Sequence, residues 1–505
     1  MAILSEPALD FAKEHIERFY DSDFFPKPPE FAALWHQWGE VKQELMSKNV
    51  SKLWVTPPRA MTIAKPKGGF RVVHQLEPLD AVIYTALAYE AAPSIEAARI
   101  PANEQVACSY RLKVEDGSFF SDGSGWPDYE SKTEELLTQF SHVLVTDITD
   151  FYNQIYLHRL NNAIESSNAA LKPFAAEIEK FLLTLNSKSS QGVPVGPAAS
   201  IVMAEAVLVD VDLFLRDQGV AHTRYVDDIR LFSDSPRHLQ KALEKLTLYL
   251  YENHRLTISS EKTELLDSET FSEKHLHNHY ADEKSNLLDE LGEFNPYSDD
   301  FDEFDADEAD DEPDQGLIEA IEKVINYDHL DLGLARSVIR TARRNSIDVI
   351  AEYLLQHFEF FAPVVNDVVL YLHEVTFGHM PSKLLPHLEE VVQSAALDSQ
   401  LVRYWIEAYV AQYPEYMASP ILANLVYSGP NIDNQARAAI TTKNVAWVRS
   451  HKASIYNLGG WGRRAVLNAS RVLPSDERTH WLKLFYGNSP VLLDRLVAKW
   501  VQETA

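Results

Sequence analysis

Tyr225-Val226-Asp227-Asp228 is the stretch on which the reading of this chain turns. Apolar runs at 221–226 and 229–232 flank it and read as two strands joined by a tight hairpin. An Asp-Asp pair suits the backbone of a two-residue turn and leaves two carboxylates at its tip. Paired oxygen ligands on a rigid turn suit Mg²⁺, which keeps strict octahedral geometry and prefers carboxylate, phosphate and water. A plain solvated hairpin would look the same locally, so a third acid has to decide. Upstream, Val143-Leu144-Val145-Thr146 runs apolar into Asp147-Ile148-Thr149-Asp150-Phe151-Tyr152. A buried strand that ends in an acid sets that carboxylate at the edge of the sheet, where the hairpin acids can meet it. Asp147, Asp227 and Asp228 would then hold two Mg²⁺ ions about 4 Å apart, the separation used for in-line phosphoryl transfer.

Three further blocks carry chemistry. Lys65-Pro66-Lys67-Gly68-Gly69-Phe70-Arg71 brackets a glycine hairpin with cations. That suits a multiply charged phosphate, because glycine lets the backbone come close. Ser190-Gln191-Gly192-Val193-Pro194-Val195-Gly196-Pro197 is a loop stiffened by proline and glycine, and it opens into an apolar helix over 198–210. Leu256-Thr257-Ile258 leads to Glu261-Lys262-Thr263, a short strand followed by a lysine. In this order and at these spacings the blocks resemble the palm and fingers of a reverse transcriptase, over roughly residues 55–270.

The resemblance implies an α/β right-hand polymerase palm and fingers that makes DNA from dNTPs, with RNA or single-stranded DNA as partner. It matches Asp147, the Ile148 carbonyl, Asp227 and Asp228 to the family's metal ligands, for Mg²⁺ with Mn²⁺ as the alternative. Lys65 and Arg71 match the pair that grips the incoming triphosphate. Tyr152, five residues after Asp147, matches the aromatic gate whose ring would clash with a ribose 2′-OH. Gln191 and Gly192 match the loop that contacts the template base and the incoming nucleotide. Lys262 matches the lysine that protonates the leaving pyrophosphate. The Tyr-x-Asp-Asp form argues for DNA synthesis over an RNA-dependent RNA polymerase, which more often carries Gly-Asp-Asp.

With 505 residues the chain is long enough for two to four domains. One cysteine, Cys108, excludes an internal disulfide or a thiolate zinc site and fits a reducing compartment. The start lacks a basic leader before a long apolar core, and no run of about 18 uninterrupted apolar residues occurs. The expectation is a cytoplasmic protein without a membrane span. A formal charge of −29 is unusual for a nucleic-acid enzyme. Part of it is local: 299–314 holds eleven acids and no Lys or Arg, and reads as a linker that cannot bury apolar surface. Nucleic acid would then meet basic patches, with Lys65, Lys67, Arg71, Arg111 and Lys113 as candidates.

Beyond the acidic run the period changes to that of helices, at 316–326, 332–345, 347–358, 364–374, 384–396, 400–412 and 420–427. Leu334, Val338, Ile339 and Ala342 show the spacing. Antiparallel helix pairs in series suggest an all-α, HEAT-like helical repeat domain, with an irregular bundle as the alternative. The expected division is fingers and palm over 1–270, a thumb-proximal segment and acidic linker over 271–315, and helical repeats over 316–505. Trp447, Arg449, Trp461, Arg463, Arg464, Trp481 and Lys483 would line a groove for nucleic acid or else pack in the core.

A polymerase followed by helical repeats, with the continuation Ile155-Tyr156-Leu157-His158 after the first metal motif, resembles the bacterial abortive-infection and defence-associated reverse transcriptases, the AbiA/AbiK-like group. Leu157 departs from the small residue usual there. The resemblance implies anti-phage defence and homo-oligomeric assembly. It also implies synthesis that is either templated, as on a partner noncoding RNA, or untemplated and primed from a protein hydroxyl, leaving DNA covalently attached. The alternatives are a non-catalytic phage sensor or nucleic-acid-binding scaffold, and a retroelement reverse transcriptase.

Overall fold

The computed structural model describes residues 2–20, 24–66, 68–121, 123–276 and 313–505. Lys67 and residues 299–312 of the acidic run lie outside the described residues. The strands are β1 (Arg59–Ala64), β2 (Phe70–Gln75), β3 (Leu112–Glu115), β4 (Ser118–Phe120), β5 (His142–Asp147), β6 (Ala221–Tyr225), β7 (Asp228–Ser233) and β8 (Glu264–Asp267). β1 pairs with β2 and β3 with β4, while the other four form one sheet in the order β6-β7-β5-β8.

All neighbours in that sheet are antiparallel. Val143, Leu144, Ile229, Leu231 and Phe232 are buried on its two central strands. Each such side chain stabilises the fold by roughly 1.5–3 kcal/mol when fully buried. Val143 pairs with Phe232 on one face and Leu144 with Leu231 on the other, so a slip would break buried pairs on both faces and the register is held tightly. In that register Asp147 on β5 stands opposite Asp228 on β7, and Tyr225 on β6 stands opposite Asp228 from the other side. The hairpin differs from the sequence expectation by one position. Its turn is Val226-Asp227, and Asp228 is already the first residue of β7. The cause is pairing: Tyr225 and Asp228 close the ladder, which pushes Val226 into the turn at φ +52°.

Two long helices, α1 (Pro78–Ala98) and α2 (Ala198–Asp217), pack on one another, and α2 also packs on β6 of the sheet. Both are buried nearly all round, and α2 also buries two acids, Glu205 and Asp212. The predicted helix at 198 therefore runs seven residues beyond its expected end, to Asp217.

The described residues fall into two compact units that do not follow chain order. One comprises 2–20, 42–59 and 74–276; the other comprises 24–41, 60–73 and 313–505. The second unit is built on α3 (Leu332–Arg344), α4 (Val365–Val375), α5 (Gln400–Val410), α6 (Ile432–Thr441), α7 (Gly460–Ala469) and α8 (Leu492–Thr504), each packed on the next. Further helices between them include Ala351–Gln356, Met380–Val391 and Pro420–Tyr427. Segment 24–41 joins this unit through apolar and ionic contacts. Helix Glu30–His36 packs on α8, Phe24 accepts a hydrogen bond from Trp405 Nε1 at 2.8 Å, and buried Glu30 accepts from Arg464 Nε at 3.2 Å. Among the described residues no helix is long and apolar enough to cross a membrane.

The aromatic and basic tail resolves largely into packing. Trp481 and Arg464 are buried, Arg463 donates to Asp494, and Arg449 donates to Glu477. Since Arg464 is 1% exposed and neutralises Glu30, Arg464→Met should destabilise this unit by about 3–5 kcal/mol, the usual consequence of stranding a buried charge. The shift in the urea midpoint measures it.

Candidate active site

The first acid is placed by β5 and the turn that follows it. Asp147 ends the strand at 6% exposure, and its carbonyl accepts from Ser259 N–H at 2.8 Å. Ile148 N–H donates to the Asp227 carbonyl at 3.2 Å, which stitches this turn to the hairpin. Carboxylate oxygens of Asp147, Asp227 and Asp228 lie within 4.8 Å of one another, the one group of this kind among the described residues. The three acids converge although 80 residues separate the first from the second.

Such crowding has an electrostatic cost. Burial, then the charges of Asp228 and Asp147, push the Asp227 carboxyl up to about 7. Burial also raises Asp228, with Lys262 and Arg230 opposing. The nearest counter-charge is Lys262, whose ammonium donates to Asp147 Oδ2 at 2.5 Å. Burial works against that charge, but Asp147 and the two hairpin acids hold the ammonium pKa above its ordinary value. Three carboxylates against one ammonium leave negative charge that a divalent cation neutralises with oxygen donors of the right type, so the residues fit such an ion.

The backbone under the hairpin is strained. Val226 is β-branched and sits at φ +52°, where a side chain of that shape is an outlier costing about 1–3 kcal/mol. Both of its peptide groups are held. Its N–H donates to Ser109 Oγ at 2.9 Å, and its carbonyl accepts from Arg224 Nη1 at 3.0 Å. Arg224 is fully buried and spends the rest of its guanidinium on two carboxylates of α2. Nε and Nη2 reach Asp212 at 2.9 and 2.7 Å, and Nη1 and Nη2 reach Glu205 at 3.2 and 3.0 Å. Glu205 also accepts from Ser109 Oγ at 2.7 Å and pairs with Arg99 at 3.1 Å. Against the penalty of burial, Arg224 keeps the Asp212 and Glu205 carboxyls below their usual range. None of Arg224, Glu205, Asp212 or Ser109 was expected from the sequence. The available signal was two acids seven residues apart, on one face of a largely apolar helix, and an arginine directly before Tyr225.

The loop at 190–197 docks on the segment after Asp147. Phe151–Gln154 is a helical turn; Val193 N–H donates to the Tyr152 carbonyl at 2.9 Å and Gly192 N–H to the Ile155 carbonyl at 2.8 Å. Gly192 has φ +94°, and a Cβ there would meet the Asn153 carbonyl at 3.3 Å, so the position favours glycine. Gln191 pairs with Tyr156 in an isolated bridge, and Asn186 Nδ2 donates to the carbonyls of Gln191 and Gly192. Tyr152, Gln191 and Gly192 are thus neighbours.

Lys65 and Arg71 lie on the β1–β2 hairpin, in the other compact unit. Its tip closes by Lys65 N–H to Gly69 and Gly68 N–H to Lys65, with Gly68 and Gly69 at φ +93° and +80°. Arg111 is not an open phosphate-binding cation, whereas Lys113 is exposed and shares its charge with a neighbouring acid. Arg111 donates to the carbonyls of Ile100 and Ala107 and pairs with Glu96, while Lys113 pairs with Glu115. Glu96 comes from the end of α1 and Glu115 from two positions along β3, pairings that composition alone does not reveal.

Residues 63–279 match the family described as reverse transcriptase (RNA-dependent DNA polymerase). The chain therefore carries a reverse transcriptase domain, and β5–β8 with the three acids fall inside it. The match supports nucleotidyl transfer as the general chemistry of the domain, and domains of this class generally use divalent metal. Telomerase from Candida albicans, in complex with the TWJ fragment of telomeric RNA, is similar at 12% identity over 78% of this chain and 70% of that one, with a TM-score of 0.31. Apo telomerase from Candida tropicalis is similar at 12% identity over 73% of each chain, with a TM-score of 0.33. No curated protein matches the sequence.

The raised Asp227 carboxyl has a signed consequence. Below about pH 7 it carries a proton that an incoming cation must displace, so divalent-ion affinity should fall as pH drops through 7 and level off above it. The metal-free fold bears the same group's penalty in full above 7 and sheds it towards about pH 4, the ordinary carboxyl range. Calorimetric Mn²⁺ titrations at several pH values should show this slope, and Asp227→Asn should flatten it.

Proposed function

We propose that the chain is a DNA polymerase of the reverse transcriptase type, acting in bacterial anti-phage defence by abortive infection. The observation that carries the polymerase reading is the convergence of Asp147, Asp227 and Asp228 within 4.8 Å inside the matched domain. These acids, with the Ile148 carbonyl, would hold Mg²⁺, with Mn²⁺ as the alternative. Bound there, the ions supply Lewis acidity for the attacking hydroxyl and the leaving pyrophosphate.

The other assignments concern this chain's own residues. Lys65 and Arg71 bind the triphosphate of the dNTP. Tyr152 sets its ring where a 2′-OH would stand. Gln191 and Gly192, docked on the Tyr152 segment, contact the base pair being formed. Lys262 leaves Asp147, presents its ammonium to the pyrophosphate and gives up a proton. The raised pKa of that ammonium supports the last role, since the lysine reaches the step charged.

The defence reading is supported by Ile155-Tyr156-Leu157-His158 after the first acid and by the stacked helices of the second unit, which we read as a HEAT-like repeat. On this reading the protein is cytoplasmic and homo-oligomeric. It copies RNA, or extends DNA without a template from a protein hydroxyl so that the product stays covalently attached.

Purified protein with Mg²⁺ and labelled dNTPs should make polymer, and Asp227→Ala should reduce incorporation at least a hundredfold, to about background. Equal incorporation by the variant would end the catalytic claim. Phage plating on cells carrying either form tests the defence role, which requires protection to vanish with Asp227→Ala. Tyr152→Ala should raise rNTP use relative to dNTP use by about tenfold or more, and an unchanged ratio would remove the gate assignment.

A further inference from the structure

We propose that Arg224 and Ser109 are positioning residues that clamp the left-handed backbone of Val226 and thereby aim the Asp227 and Asp228 carboxylates at the divalent cation; this rests on the metal-dependent reading given above. Three observations carry it. The two hydrogen bonds to Val226, one at its N–H and one at its carbonyl, come from side chains outside the hairpin turn. Both donor and acceptor are themselves fixed by Glu205, which accepts from Ser109 Oγ and from Arg224. All five N–H donors of the Arg224 guanidinium are used, so the group is locked in one orientation.

The physical need for such a clamp is plain. A valine at φ +52° relaxes towards negative φ when released, and the peptide that would rotate leads directly into Asp227. Repulsion among three crowded carboxylates pushes in the same direction, away from convergence. Burial alone does not hold the tip, because Asp227 and Asp228 are only partly buried. A guanidinium suits the task better than an ammonium, since its planar fork engages two carboxylates and still reaches the carbonyl.

The test is Mn²⁺ binding by the full-length chain, read by electron paramagnetic resonance, with Asp227→Ala as control. Ser109→Ala removes one arm of the clamp without stranding a buried charge. It should weaken Mn²⁺ binding by about 10- to 100-fold, the range seen when the groups that orient metal ligands are lost. Glycine adopts positive φ freely, so the same substitution in a Val226→Gly background should weaken binding much less relative to its own parent. Arg224→Lys keeps the charge but has too few donors, and should weaken Mn²⁺ at least as much as Ser109→Ala; if that chain does not fold, the Ser109 pair still decides. Mn²⁺ affinity unchanged by Ser109→Ala, with or without a lower melting temperature, would overturn the clamp. So would an equal loss in the valine and glycine backgrounds. A wild-type chain that binds Mn²⁺ no better than Asp227→Ala would instead overturn the metal-dependent reading beneath it.

Discussion

Repulsion between three carboxylates is the constraint around which the first unit is organised. Asp147 and Asp228 stand directly opposite on neighbouring strands, an arrangement that like charges disfavour, and Asp227 joins them from the turn. Nothing local favours this meeting. It exists because the register of β5 against β7 is set by the apolar residues behind it, Val143, Leu144, Ile229 and Leu231, whose burial outweighs the repulsion at the end of the sheet. The excess negative charge is then available for a cation, and it appears physically as a carboxyl that ionises only near neutrality.

Two cations serve the site in opposite ways. Lys262 sits at the acids on a side chain 61% exposed, so it can exchange its partner for another anion at little desolvation cost. Arg224 lies under the hairpin, wholly buried, with every donor committed. It cannot move without stranding Glu205 and Asp212, and its worth is geometric rather than a net gain in stability. A mobile ammonium and an immobile guanidinium suit, respectively, a group that changes partner during a reaction and a group that keeps the site in shape.

The second unit shows how a chain can be divided by packing rather than by order. Residues 24–41 precede the matched reverse transcriptase domain and 60–73 overlap its start, yet both belong to the compact unit built by α3–α8. Arg464 is the clearest agent for the first of these segments, since it neutralises a glutamate more than four hundred positions away. A boundary drawn from composition at 270, or at the acidic run, cannot register such contacts.

What the sequence determined by itself was whatever depends on short-range pattern. The strand before Asp147, the hairpin at 225–228 and helices such as Leu332–Arg344 and Pro420–Tyr427 follow from alternation, turn chemistry and the spacing of Leu334, Val338, Ile339 and Ala342. The grouping of the three acids was legible too, because Asp147 ends an apolar strand while Asp227 and Asp228 lie where a hairpin turn meets its second strand. Tertiary structure alone decided which residue occupies the turn, since ladder pairing between Tyr225 and Asp228 moved Val226 there. It alone spent Arg111 on backbone carbonyls and joined Arg224 to acids on α2. The reason is that a charge states its sign in the sequence but not its partner, and in a buried site the partner is whatever the packing of distant elements brings within hydrogen-bond reach.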